Sequence, residues 1–232
     1  SSVEERRAIP GMDPSRADII LAGALILEQA VAELGIDEIV ISDNALREGV
    51  LLDALSRRGG ASLHHLRDLR RRSVLHLAES MDNDVDHSMR AAGFALDLFD
   101  ATALLHGLGD DSRELLEAGA LLANVGLSVS HSEHHKHSYY VIRHSDCLAG
   151  FTDHEIELIA QIARYHRKSA PKAKHSEFAR LRLEDQDRVR ILAGVLRVGI
   201  ALDRSHKGRV ERIAVSLGNG EEPVSILVKH LD

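Results

Sequence analysis

The sequence predicts a mainly α-helical fold, preceded by an α/β piece and followed by a short β-hairpin. Three observations carry that expectation. From Ser62 onward nearly every segment places apolar residues at helical spacing. Helix start and stop signals bracket the segments, among them Asp13 with Pro14, Gly35, and Thr152 with Glu155. Alternating, β-branched runs are confined to Glu38–Ser42 and to the tail RIAVSLGNGEEPVSILVKHLD. With 44% hydrophobic residues in 232, the chain has ample apolar surface for a core.

In order, Ser1–Arg7 is polar and reads as the interior of a longer chain. Asp13 is placed to cap a helix whose first residue is Pro14 and whose stop is Gly35. A strand over Glu38–Ser42 and a helix from Asn44 to Ser56, capped by Asp43, complete an α/β piece. A lone strand leaves both edges unpaired, so this piece is expected to add to a larger sheet. The Gly-Gly of Arg57–Gly60 marks the domain boundary. Helices follow over LHHLRDLRRRSVLHLAESM, Val85–Leu105, Arg113–Ala123, His134–His144, the stretch from the Thr152 and Glu155 capping box to Tyr165, and Glu184–Asp203. The tail reads as two strands around an Asn-Gly turn.

Composition removes several function classes. The net charge of −7 opposes general nucleic-acid binding, and aromatics at 3% with no tryptophan cannot supply a base-stacking surface. The single cysteine, Cys147, cannot form an internal disulfide and points to a reducing compartment; it reads as a core residue. Apolar runs such as Ile19–Leu27 are too short and mixed to span a bilayer, and nothing at the start resembles a signal peptide, so a cytoplasmic location is expected. Histidine, at 15 residues, is the outlier. Many fall between Leu115 and Lys168, the stretch where core and chemistry are expected to share helices.

Several long motifs carry a resemblance. PGMDPSRADIILAGALIL and VISDNALREGVLLDAL, followed in register by RRRSVLHLAE, DHSMRAAGFALDLFD, LLEAGALLANVG, HHKHSYYVIRHSDCLAGFTDHEIELIAQIARYHRK and GIALDRSH, resemble the exopolyphosphatase and guanosine-pentaphosphate phosphohydrolase family. The resemblance implies that residues 1–58 are the end of an actin-like, sugar-kinase-like phosphatase domain, 61–208 an HD-like helical bundle, and 209–232 a hairpin extension. It implies release of terminal phosphate from inorganic polyphosphate or guanosine pentaphosphate, with magnesium as cofactor of the full-length enzyme. The family's catalytic acid and phosphate loops lie upstream of the matched motifs, so no catalytic residue and no bound cofactor are expected here. Implied partners are polyphosphate or guanosine penta- or tetraphosphate, the upstream phosphatase domain and a second copy in a homodimer, with no membrane and no specific nucleic acid.

Two site readings follow. An HD domain holds a divalent ion with a first His, an adjacent His-Asp pair and a distant Asp. By resemblance His87 and Asp203 match the outer ligands, but Ala123 and Asn124 stand at the central pair, and alanine cannot ligate. No metal is expected, and His87 with Asp203 reads as a buried hydrogen-bonded pair. Within HHKH, His134 and His137, or His131 and His135, share a helical face, which suits either a metal or core hydrogen bonding and anion contact. A histidine pair alone falls short of the three or four ligands a zinc site needs, so the second reading is preferred.

The other reading concerns anions. RYHRKSAPKAK gathers Arg164, His166, Arg167, Lys168, Lys172 and Lys174 with no acid between them, and DRSHKGR adds Arg204, His206, Lys207 and Arg209. Forked guanidinium donors and mobile ammonium groups suit a chain of phosphates; the competing reading is a solvated helix end. Arg16 and Arg47 suit either phosphate contact at a cleft or salt bridges. Three functions therefore compete: the polyanion-binding, dimer-supporting part of a polyphosphate or guanosine-pentaphosphate phosphatase; a non-enzymatic phosphonucleotide sensor; and an active HD-type metallophosphohydrolase.

Overall fold

Two units divide the chain, Ser1–Asp43 and Asn44–Asp232, in a computed structural model that describes residues 2–36, 38–39, 65–216 and 225–230. In the first unit, α1 (Val3–Arg7) opens with a capping box between Ser2 and Glu5. Asp13 accepts from the Ser15 amide at 2.9 Å and the Ser15 hydroxyl at 2.7 Å, but it starts only a 3-10 turn, Pro14–Arg16. The local Asp13 bonds satisfy the first donors in a tight turn, and α2 (Ile20–Leu34) begins only at Ile20, with no side-chain cap. Gly35 ends it at φ 61, a left-handed turn that glycine adopts without strain. Arg16 is exposed and lies 3.9 Å from Asp13. Glu38 and Ile39 carry no regular structure. The rest of that expected strand, the expected helix 44–56, the boundary at Arg57–Gly60 and Arg47 lie outside the described residues.

The second unit is mainly helical, with one two-stranded antiparallel hairpin among the described residues. Its helices are α3 (His65–Met81), α4 (Val85–Ala101), α5 (Ala103–His106), α6 (Asp110–Leu121), α7 (His134–Arg143), α8 (Asp153–Arg164), α9 (Ser176–Ala179) and α10 (Leu183–Leu202). The hairpin pairs β1 (Val210–Ser216) with β2 (Ser225–His230); its Asn-Gly turn lies outside the described residues. The predicted Val85–Leu105 helix divides at Thr102, whose hydroxyl donates to the Leu98 carbonyl at 2.7 Å and competes with the helical ladder.

The core sits between α4, α6, α8 and α10. Leu116, Leu121, Leu158, Ile159, Ile162, Leu192 and Leu196 are all buried, joined by Ile142 of α7 and Phe178 of α9. Helices α4 and α10 run antiparallel: His87 meets Asp203, and Gly199 faces Ala91 and Ala95. A Cβ at Gly199 would lie 2.6 Å from the Ala91 carbonyl oxygen, so only glycine allows this approach. The Thr152 and Glu155 capping box forms, and Arg70 ties α3 to it, donating to the Gly150 carbonyl at 2.8 Å, Glu114 at 2.9 Å and Glu155 at 3.1 Å. Cys147, expected in the core, is exposed: it lies in the turn after α7, and the neighbouring Leu148 is the buried anchor. Among the described residues no helix is long and apolar enough to cross a membrane.

Candidate anion-binding site

Around His87, Ala123, Asn124 and Asp203, the residues compared above with an HD motif, polar groups are consumed by one another. His87 Nδ1 lies 2.9 Å from Asp203 Oδ2, with both residues 1% exposed. Asp203 also accepts from Arg90 Nε at 2.8 Å and from the Gly208 amide at 3.0 Å. Burial pushes the Asp203 carboxyl up, but these donors outweigh it and hold the group below its usual range. His206 stacks on His87 with ring centroids 3.7 Å apart and bonds Asp84 at 2.7 Å. Asn124 donates to the Ser88 hydroxyl at 3.4 Å, and Ser88 donates to Asp82 at 2.6 Å. Ala123 is fully buried, and its carbonyl accepts from Ser138 Oγ at 2.7 Å while that hydroxyl accepts from the Gly126 amide at 3.0 Å. Among the described residues no group of three or more His, Cys, Asp or Glu side chains could hold a metal, so the residues present do not fit magnesium.

The histidine cluster is built across elements rather than along one helix. His134 and His135 are buried at the start of α7, His137 is half-buried, and His131 is exposed. The ring neighbours of His134 are His135 and His166, not His137. His166 Nδ1 lies 2.6 Å from the Ala163 carbonyl, which can only accept, so the neutral ring carries its proton on Nδ1 and turns Nε2 to His134 Nε2 at 3.3 Å. His134 Nδ1 lies 3.0 Å from Arg167 and 3.4 Å from the His131 carbonyl, and Arg167 also lies 3.3 Å from His134 Nε2. Each imidazole in this relay is neutral. Burial, together with neighbouring positive groups, drives His166 down to about 3 and His135 to about 4, and lowers His134.

The two cationic segments differ in how their charges are used. Arg164 pairs with Glu177 at 3.1 Å and lies over Tyr139 and Tyr165, so it is held in place. His166 is buried in the relay, and Arg167 is exposed but oriented by His134. Lys168 adopts φ 58 and lies 3.8 Å from Glu133, while its carbonyl accepts a hydrogen bond from Arg197 of α10. Lys172, Lys174, Arg204, Lys207 and Arg209 are exposed and meet no carboxylate at ion-pair distance among the described residues. Arg197, not anticipated from the sequence, fastens the first segment to α10. Arg204 follows it by seven residues, just beyond the end of α10 at Leu202. The signal available was the seven-residue spacing of Arg190, Arg197 and Arg204, which returns to nearly the same helical face.

Comparison with known proteins adds a separate line of evidence. Residues 69–229 match the family model for Ppx/GppA phosphatase, domain III, and residues 1–58 that for the Ppx/GppA phosphatase family. A guanosine-5'-triphosphate,3'-diphosphate pyrophosphatase from Pseudoalteromonas translucida is 28% identical over 170 residues, covering 71% of this chain and 32% of that protein. A protein of the same name from Photobacterium profundum is 29% identical over 160 residues, covering 69% and 31%. The chain thus spans about a third of the length of these curated relatives. Since the domain III match alone covers most of the sequence, from α3 through the cationic segments to the hairpin, this chain belongs to the Ppx/GppA phosphatase family.

Proposed function

We propose that the chain is part of a phosphohydrolase that releases terminal phosphate from guanosine pentaphosphate or inorganic polyphosphate, and that its HD-like helical unit holds the polyanion rather than cleaving it. The observation that carries this reading is the pair of exposed cationic segments, Arg167–Lys174 and Arg204–Arg209, the first bonded to α10 through Arg197 and the second following the end of α10 and bonded to Asp203. The name of the two relatives supports a guanosine-phosphate substrate. The metallohydrolase reading is disfavoured by the closed hydrogen-bond network around His87, Asp203 and Asn124.

Binding of this type releases condensed counterions, so affinity for long polyphosphate should fall steeply as salt rises. Reversing Lys172 and Lys174 to Glu, or Arg167 and Lys168 to Glu, should weaken binding and flatten the salt slope. The first pair avoids the histidine relay and so separates charge from folding. Unchanged low-salt affinity in both double variants would refute the reading. Competition by guanosine pentaphosphate, titrated in the same assay, tests whether the nucleotide shares the surface.

A further inference from the structure

We propose that a small cavity beside α7 and α8, lined by His135, Lys136, Arg164, Tyr165, Ser169 and His175, binds a single phosphate group, as free orthophosphate or as the end of a phosphate chain. The proposal deepens the polyanion reading above and rests on it for the chain-end ligand. The cavity is about 50 Å³, room for one tetrahedral oxyanion and not for a base or sugar. No carboxylate lines it. The charged groups around it are Lys136 and Arg164 in its wall, Arg167 and Lys168 beside it, and Glu133 and Glu177 as outer partners of Lys136 and Arg164.

Two imidazoles in the wall have donor capacity to offer. His135 is 94% withdrawn from solvent, being 6% exposed, and its Nδ1 is buried with no hydrogen-bond partner among the described residues. A buried polar atom of that kind calls for a partner that the protein does not supply. His175 Nδ1 sits 3.3 Å from the Lys172 amide, which can only donate, and 2.8 Å from the Tyr165 hydroxyl. Nδ1 is therefore the acceptor, Tyr165 donates to it, and the proton of neutral His175 resides on Nε2 as a free donor. Both imidazoles are also held below their ordinary range, first by burial and then by surrounding lysine and arginine charges. An oxyanion in the cavity offers an acceptor to the His175 Nε2 proton, offsets that positive potential beside His135, and gives Ser169 and Lys136 a common partner.

The test uses the intact chain with inorganic phosphate, tripolyphosphate, and long polyphosphate with free or chemically capped ends, read by imidazole nitrogen resonances of His135 and His175 and by calorimetry. Orthophosphate or tripolyphosphate should shift both resonances saturably. Ser169→Phe, which fills the mouth from an exposed position, should abolish the shift. His135→Leu should weaken orthophosphate binding roughly ten- to a hundredfold, the loss expected for a charge-assisted hydrogen bond. If free-ended but not capped polyphosphate shifts His135, the site takes chain ends; if only orthophosphate does, it takes the free ion. If neither resonance moves while long polyphosphate still binds, the cavity proposal fails and the surface reading stands. If orthophosphate binds and long polyphosphate does not, the surface reading fails and the cavity stands as a site for the free ion. Retention of full orthophosphate binding in Ser169→Phe would also overturn the cavity.

Discussion

Acidification from pH 7 to pH 5 should destabilise the helical unit, because the His166 relay tolerates only neutral rings. Its contacts link Arg167, His134, His166 and the Ala163 carbonyl, with the His166 Nδ1 proton donated to that carbonyl. Adding a proton to His166 Nε2 places a positive charge in a buried space beside Arg167. With an unfolded value of 6.5 and a folded value of about 3, His166 binds more protons in the unfolded chain throughout the interval between them. Stability therefore rises with pH across that interval and is lost as pH falls below 6.5. From 6.5 to 5 the loss is about 2 kcal/mol at ~1.4 kcal/mol per unit. For a unit of this size that lowers Tm by roughly 4–8 °C. His135 and His134, both lowered, act in the same direction. The depressed carboxylates Asp84, Asp203 and Glu177 contribute with the same sign, but only once pH drops through the carboxylate range below this window.

Scanning calorimetry of the chain at pH 7, 6 and 5 at fixed ionic strength measures the effect, and imidazole resonances assign it. His166→Gln should flatten the dependence even if it lowers stability at every pH. A Tm constant within 1–2 °C or so between pH 7 and 5 would contradict a buried neutral relay. Titration of His166 near its ordinary value would do the same.

Two further substitutions address the scaffold. Ser138→Ala removes the hydroxyl that serves both Ala123 and Gly126, leaving a buried carbonyl and a buried amide unpaired; a cost of about 2–4 kcal/mol is expected in urea unfolding, and a change under about 0.5 kcal/mol refutes the bridging role. Asp203→Ala strips His87, Arg90 and the Gly208 amide of their shared acceptor and should cost about 3–5 kcal/mol. Because Gly208 would be released, trypsin should also cut faster after Arg204, Lys207 and Arg209. Unaltered cleavage would show that the loop is held by something other than Asp203.

What could be read in the sequence was local. The capping box at Thr152 and Glu155 and the apolar rows of α8 and α10 follow from neighbouring residues, and they recur in the structure almost residue for residue. Errors arose where a side chain found another partner. Thr102 turned its hydroxyl onto Leu98 and divided the α4 region, and Asp13 closed a turn around Ser15 that stopped the helix expected there. In the histidine cluster, the sequence spacing indicated partners along α7, whereas the ring that His134 meets lies 32 residues away on the far side of the α7–α8 turn. Arg90 carried no distinguishing signal, and the spacing that marks Arg197 gives only its helical face, since the importance of both lies in the groups to which tertiary packing delivers them, Asp203 and the Lys168 carbonyl.

The buried group around Asp203 has a physical role in the same geometry. A buried carboxylate needs either a cation or several hydrogen-bond donors to remain charged. In a metal-binding HD domain the ion serves that purpose; here Arg90 supplies the positive charge, while His87 and the Gly208 amide occupy the remaining acceptor directions of Asp203. Holding Asp203 by donors rather than by an ion has a structural result. Gly208 is bonded to the end of α10, and Arg90 of α4 reaches both Asp203 and the His206 carbonyl, so the turn bearing Arg204, Lys207 and Arg209 is tied to two antiparallel helices at once. Arg197 ties the Lys168 turn to the same α10. Fixing both cationic turns on one rigid helix lowers the entropy that a polyanion would otherwise have to remove on binding. In this way one hydrogen-bonded carboxylate both holds its own buried charge and fixes the turn that bears three of the proposed anion-binding cations.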